Sequence, residues 1–164
     1  LTELYYKPSV VLTLVNGMAT GSSRSVQGFD IYSAVNSARD LLENPCIGDK
    51  YTSDEKDLMI MALILHDGVK SGVPKERYTR FDHPLLICDL IMDNEEVLGL
   101  EVEEIEFICD CIKTHMGNWT TDYNGVEVLE KPKSKYQNFV HMCDYLASKK
   151  CLLVPFNDNN EIED

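Results

Sequence analysis

His66-Asp67 closes an unbroken apolar run, Leu58-Met-Ile-Met-Ala-Leu-Ile-Leu65, and leads straight into Gly68-Val-Lys70-Ser-Gly72. An imidazole next to a carboxylate at the end of a segment that must be buried can move protons or bind metal. Three more polar residues recur in similarly apolar surroundings: His83, His115 and Asp144. Residues three, four or seven apart share one face of a helix. His66 follows Leu63 and Met59 by three and seven, and His83 precedes Leu86, Ile87 and Leu90 by three, four and seven. His115 follows Ile112 and Ile108 by three and seven, and Asp144 follows Val140 by four and precedes Ala147 by three. All four therefore face the expected core. An unpartnered polar group there costs roughly 2–7 kcal/mol, so four of them rival the whole stability of a small domain. A lone inward histidine is ordinarily a hydrogen-bonded core residue; a set of five with Asp67 points to shared metal coordination. Aspartate and neutral imidazole suit Mn, Fe, Co, Ni, Mg or Zn. No cysteine joins them, which favours an open catalytic site over a closed structural zinc site.

The elements that must position these residues are helices. Asp30 to about Glu43 carries Ala34, Ala38, Leu41 and Leu42 at helical spacing, and Asn44-Pro45 stops it. Thr52-x-x-Glu55 is a capping box that opens a helix running to about His66. Residues 68 to 82 read as a loop, and Pro84 suits the first turn of a helix reaching about Met92. Val102, Ile105, Ile108, Cys109 and Ile112 stripe the next helix, closed by Gly117. Tyr136, Phe139, Val140, Cys143 and Ala147 stripe the last one. Residues 118 to 134 read as a loop or a short hairpin around Asn124-Gly125. Ser9 to Val15 fits strand or helix, and Gly21 to Ser25 reads as a loop without the lysine of a phosphate-binding P-loop. The expectation is an all-α bundle of five or more helices in one domain, with its core at about 30–150 and with 1–29 and 151–164 peripheral.

At 164 residues and 44% hydrophobic, the chain can bury a core without staples. Its six cysteines include no Cys-x-x-Cys, and Cys88, Cys109 and Cys143 fall in apolar helical stretches. They read as reduced core thiols of a cytoplasmic protein, an expectation supported by the lack of a signal-like start or a membrane-length apolar run. The formal charge of −13 argues against duplex nucleic acid as a partner. Asp89 to Asp110 alone holds nine acidic residues and no basic one, which is ordinarily a solvated face. Against this background the stretch 70–80 is cationic, with Lys70, Lys75, Arg77 and Arg80 against Glu76.

Together, His66-Asp67-Gly-Val-Lys70, Phe81-Asp-His83-Pro84, Lys113-Thr-His115-Met-Gly117 and His141-Met-Cys-Asp144 resemble the HD superfamily of metal-dependent phosphohydrolases, above all small stand-alone members from bacteria and phages. The resemblance covers about residues 30 to 150. It implies a helical bundle in which His66, Asp67 and Asp144 hold one divalent ion, and Asp67 bridges to a second held by His83 and His115. It implies a metal-activated water as nucleophile, Asp67 and Lys70 as the catalytic pair with Lys70 on phosphate, and a nucleotide-like substrate. Arg77 and Arg80 are weaker candidates for substrate contact, and Trp119 with Tyr123 could stack a base. His141 is a supporting partner, a proton donor to the leaving group, or a surface residue. The family's first histidine is missing: Asp30-Ile31-Tyr32 stands there, and Asp30 is either a substitute ligand or a helix N-cap. Phosphomonoester or phosphodiester hydrolysis is the leading expectation. A degenerate domain that binds a nucleotide or partner protein, and a metal-dependent nuclease, are the alternatives; a homo-oligomer is compatible with either.

Overall fold

Where the apolar stripes end, the helices end. A computed structural model describes residues 26–149, with side chains from Ala34 onward. The fold is all-α. Helix α1 (Val26–Glu43) is followed by the single turn α2 (Pro45–Gly48), then α3 (Ser53–Leu65), α4 (His83–Asp93) and the single turn α5 (Glu95–Leu98). Helices α6 (Val102–Lys113) and α7 (Lys135–Ala147) complete the set among the described residues. The readings at Ser9–Val15 and Gly21–Ser25, and Cys151, lie outside the described residues.

Local chemistry sets most boundaries. The capping box at Thr52 forms in both directions, Glu55 N to Thr52 Oγ1 at 3.2 Å and Thr52 N to Glu55 Oε2 at 2.8 Å. Ser134 and Gln137 make the same reciprocal pair at the start of α7. Asn44 ends α1 as expected, and its side chain also accepts from Cys46 N at 3.0 Å, which nucleates α2. Helix α1 begins four residues before Asp30, so Asp30 lies inside it and does not cap it. The hairpin expected within 118–134 contracts to one bridge between Thr121 and Glu127. Two reasons are visible. Asp122 Oδ1 takes the amides of Asn124 and Val126, each at 2.9 Å, and the Thr120 carbonyl takes both Val128 N and Leu129 N, which ends the pairing.

Helix α3 is the axis of the bundle and packs against α1, α6 and α7, while α4 packs on α6. Leu58 to Leu65 are all buried, so this helix is apolar all round, as a helix enclosed by neighbours must be. Ile108 and Ile112 of α6 and Ile87 and Ile91 of α4 meet it or each other with no exposed surface. Cys88, Cys109, Cys111 and Cys143 are also buried. No helix of the described residues is long and apolar enough to cross a membrane.

Ile108→Ala removes a fully buried side chain and is expected to cost about 2–5 kcal/mol. Val102→Ala, at a position 57% exposed on the same helix, is expected to change stability by less than about 0.5 kcal/mol. Urea unfolding of both variants checks this; equal losses would mean that α6 does not bury the Ile108 face.

Candidate metal centre

Each buried histidine sits at a helix end or in the turn just beyond one. His66 is the C-cap of α3, His83 opens α4 behind the N-cap Asp82, and His115 lies in the turn just beyond α6. Each ring uses Nδ1 in the same way. His66 Nδ1 donates to Leu63 O at 2.5 Å, His83 Nδ1 to Arg80 O at 2.6 Å and His115 Nδ1 to Ile112 O at 2.8 Å. A carbonyl can only accept, so each Nδ1 carries a proton, and in the neutral ring each Nε2 is then left as a bare acceptor.

Those acceptors converge. His83 Nε2 and His115 Nε2 stand 3.2 Å apart, and Asp67 Oδ1 is 3.3 Å from the first and 3.8 Å from the second. His66 Nε2 is 3.0 Å from Asp144 Oδ1 and 3.6 Å from Asp67 Oδ2. Two groups satisfy the spacing of a shared ion: His66, His115 and Asp144, and Asp67, His83 and His115. The three rings and Asp67 are buried, while the Asp144 side chain is 28% exposed and forms the open edge.

Acceptors facing acceptors are unstable without a cation between them. Asp67 Oδ1 is buried with no hydrogen-bond partner, despite lying close to His83 Nε2. The donor set therefore fits a divalent metal, and these groups could hold one. Protons are the other remedy. Burial alone would lower the His66 pKa, but Asp67 and Asp144 overcome it and raise the ring to about 9. Burial and the His66 charge push His115 down to about 3. Burial would raise both carboxyls, yet the charge on His66 holds Asp67 well below the usual carboxylate range and lowers Asp144 as well.

No family model, curated protein or solved structure matches this chain.

The remaining expected site residues fall into two groups. Lys70 reaches inward, with Nζ on Asp67 Oδ2 at 2.7 Å. Arg77 is exposed and lies over the Tyr78 ring. Trp119 is 54% and Tyr123 79% exposed, on the loop that follows His115. Both rings meet Phe81 edge-on, at centroid separations of 5.9 and 6.5 Å. Arg80 is engaged elsewhere: its guanidinium holds both oxygens of Asp82, at 2.8 and 2.7 Å, and Glu76 at 3.0 Å. Its main chain serves the site instead, because the Arg80 carbonyl orients His83. His141 donates to the His115 carbonyl rather than to either carboxylate. The side chain of Asp30 lies outside the described residues.

Sequence reading did not assign Phe81 a role, although an aromatic two residues before His83 was a usable signal. The orienting carbonyls of Leu63, Arg80 and Ile112 carried no such signal, because any residue type supplies a carbonyl.

The two shifted histidines make the metal-free protein pH-sensitive in opposite directions. His66 has a folded pKa above its ordinary 6.5, so its contribution is complete below 6.5 and is lost as pH rises through about 9. His115 has a folded pKa below 6.5, so its contribution is present above 6.5 and is lost as pH falls toward about 3. Chelator-treated protein should therefore be most stable near pH 6.5. In His66→Gln the alkaline decline should flatten. Denaturation midpoints measured from pH 5 to 9.5 test this, and an unchanged alkaline slope in the variant would refute the assignment to His66.

Proposed function

We propose that this chain is an HD-type phosphohydrolase. In this reading it uses one or two divalent ions (Mn, Fe, Co, Ni or Mg, with Zn allowed) to cut a phosphomonoester or phosphodiester bond in a nucleotide-like small molecule. One observation carries the reading: three imidazole nitrogens, presented as acceptors, converge on two carboxylates at one place. His66, His115 and Asp144 would hold one ion and Asp67, His83 and His115 the other, with Asp67 bordering both through its contact with His66. Divalent ions bound in such a set supply Lewis acidity toward phosphoryl oxygens and lower the pKa of water.

The chain's own residues do the rest. Lys70 Nζ, 2.7 Å from Asp67 Oδ2, adds to the charge of His66 and the His83 bond in holding Asp67 ionised, and from there it would also attract a phosphate oxygen. Arg77 adds exposed positive charge on the same loop. Trp119 and Tyr123, which meet Phe81 edge-on, offer planar apolar surface on the segments that lead to His83 and from His115. Stacking of a base on such a ring is worth about 1–3 kcal/mol. The net charge of −13 favours a small phosphorylated molecule over a long polyanion.

A second reading, binding without turnover, is favoured by one fact. All four histidines lie at 66, 83, 115 and 141, so none remains for the start of the first helix.

A panel of phosphomonoesters, cyclic and linear phosphodiesters, single strands and duplexes, assayed with Mn, Co and Ni, tests the first reading. Turnover of small nucleotides is expected, lost with chelator and restored by metal, and reduced to background in His66→Ala and Asp67→Ala. Retained activity in Asp67→Ala would sink the mechanism. Nucleotide binding with no turnover on any substrate would favour the second reading, and cleavage confined to strands would favour a nuclease. Asp30→Ala is expected to weaken one ion at least about tenfold if that carboxylate is a ligand. Unchanged metal affinity would remove Asp30 from the site.

A further inference from the structure

His141 is a titratable side chain that the ligand set does not use. It lies on α7, one turn before Asp144, and its Nδ1 donates to the main-chain carbonyl of His115 at 2.7 Å. Its ring fills the space over Gly117. A Cβ added at Gly117 would lie 2.2 Å from His141 Cε1 and 2.5 Å from Nε2. Gly117 also has φ +66°, a conformation that other residues adopt at a cost. Tyr145 flanks the ring, with centroids 5.9 Å apart at 41°. The turn after α6 is thus built to receive this imidazole. On its other side the same turn is held by Ile112 O, which takes both His115 N at 3.1 Å and His115 Nδ1 at 2.8 Å.

We propose that His141 is a positioning residue: by donating to the His115 carbonyl it fixes the His115 main chain, and through it the direction of the one ring that both candidate triads share. Helix α7 then serves both triads, the first directly through Asp144 and the second through His141 and His115. The effect on metal affinity rests on the metal-site reading above; the control of the His115 ring does not.

The role depends on a donor at one atom, so three substitutions separate it from packing. Asn places an amide nitrogen the same number of bonds from Cα as His Nδ1. Gln places it one bond further, and Leu fills space without a donor. The full-length chain carrying each substitution is examined in two ways. In chelator-treated protein, long-range 1H–15N spectra should show the His115 proton held on Nδ1 in wild type and His141→Asn. In His141→Gln and His141→Leu they should show mixed tautomers.

In Co2+ titrations followed by calorimetry and visible absorption, the Gln and Leu variants should bind at least about tenfold more weakly, with altered ligand-field bands. The Asn variant should stay within about threefold of wild type. A Leu variant that matches wild type in both readouts, or an Asn variant that behaves like Gln, overturns the proposal. If His141→Leu does not fold, the Asn and Gln pair decides alone. A wild type that takes up no Co2+, but whose His115 tautomer is lost in the Gln or Leu variant, upholds the positioning role and sinks the hydrolase reading instead.

Discussion

The hydrogen bond from each buried ring to the carbonyl three residues before it is the constraint on which the site depends. Leu63, Arg80 and Ile112 supply those carbonyls, and the oxygens of Arg80 and Ile112 also take the main-chain N–H of His83 and His115. A buried carbonyl left without any donor costs about 1–3 kcal/mol. The imidazole adds a donor at each of these carbonyls and in return has its tautomer and ring plane fixed. Helix termination and ligand orientation are therefore one event. The bond each ring makes at the end of α3 and just beyond α6 turns His66 Nε2 and His115 Nε2 toward the carboxylates.

Charge follows from that geometry. Asp67 and Asp144 bring two negative charges to a place shielded from water, and Lys70 and a protonated His66 bring two positive ones. The balance is local, in a chain whose total is −13. It is also provisional. The His66 proton occupies the Nε2 lone pair that faces Asp144, so a divalent ion held there would have to displace it, which would couple binding to proton release. A closed hydrophobic core would have no need of such an arrangement. Replacing buried ionic groups with apolar ones is often neutral or stabilising, which makes their presence here an argument for use rather than for stability.

Much of this was legible in the residues, for a definable reason. The helical phase of His66, His83 and His115 against Leu63, Ile87 and Ile112 placed all three inside, and all three are inside. Thr52 to Glu55 and Pro84 marked helix starts because capping is local chemistry. Asp144 was read as facing the core and does meet the buried His66 there, although its side chain stays 28% exposed. The turns α2 and α5 were missed because four residues are too few to show a period. Arg80 shows a further limit: composition identifies a cation, but not that Asp82 and Glu76 occupy it. Which carbonyl a ring meets depends on where the chain turns, and no residue type encodes that.

The division of the candidate ligands among elements also bears on how the site can fail. His66 and Asp67 come from the end of α3, His83 from the start of α4, His115 from the turn after α6, and Asp144 from α7. Helix α3 touches α6 and α7 directly but meets α4 mainly by way of α6. A shift of α6 therefore moves His115 and His83 together relative to His66, whereas a shift of α7 moves Asp144 and the His141 bond that steadies His115. Separations of 3.0–3.8 Å between the converging side-chain atoms tolerate little of either, because misplacements of about 1 Å carry large penalties for positioned groups. The buried isoleucines of α4 and α6 thus hold register as well as supplying hydrophobic stability. Loosening the core without unfolding it would be felt first as a loss of coordination geometry.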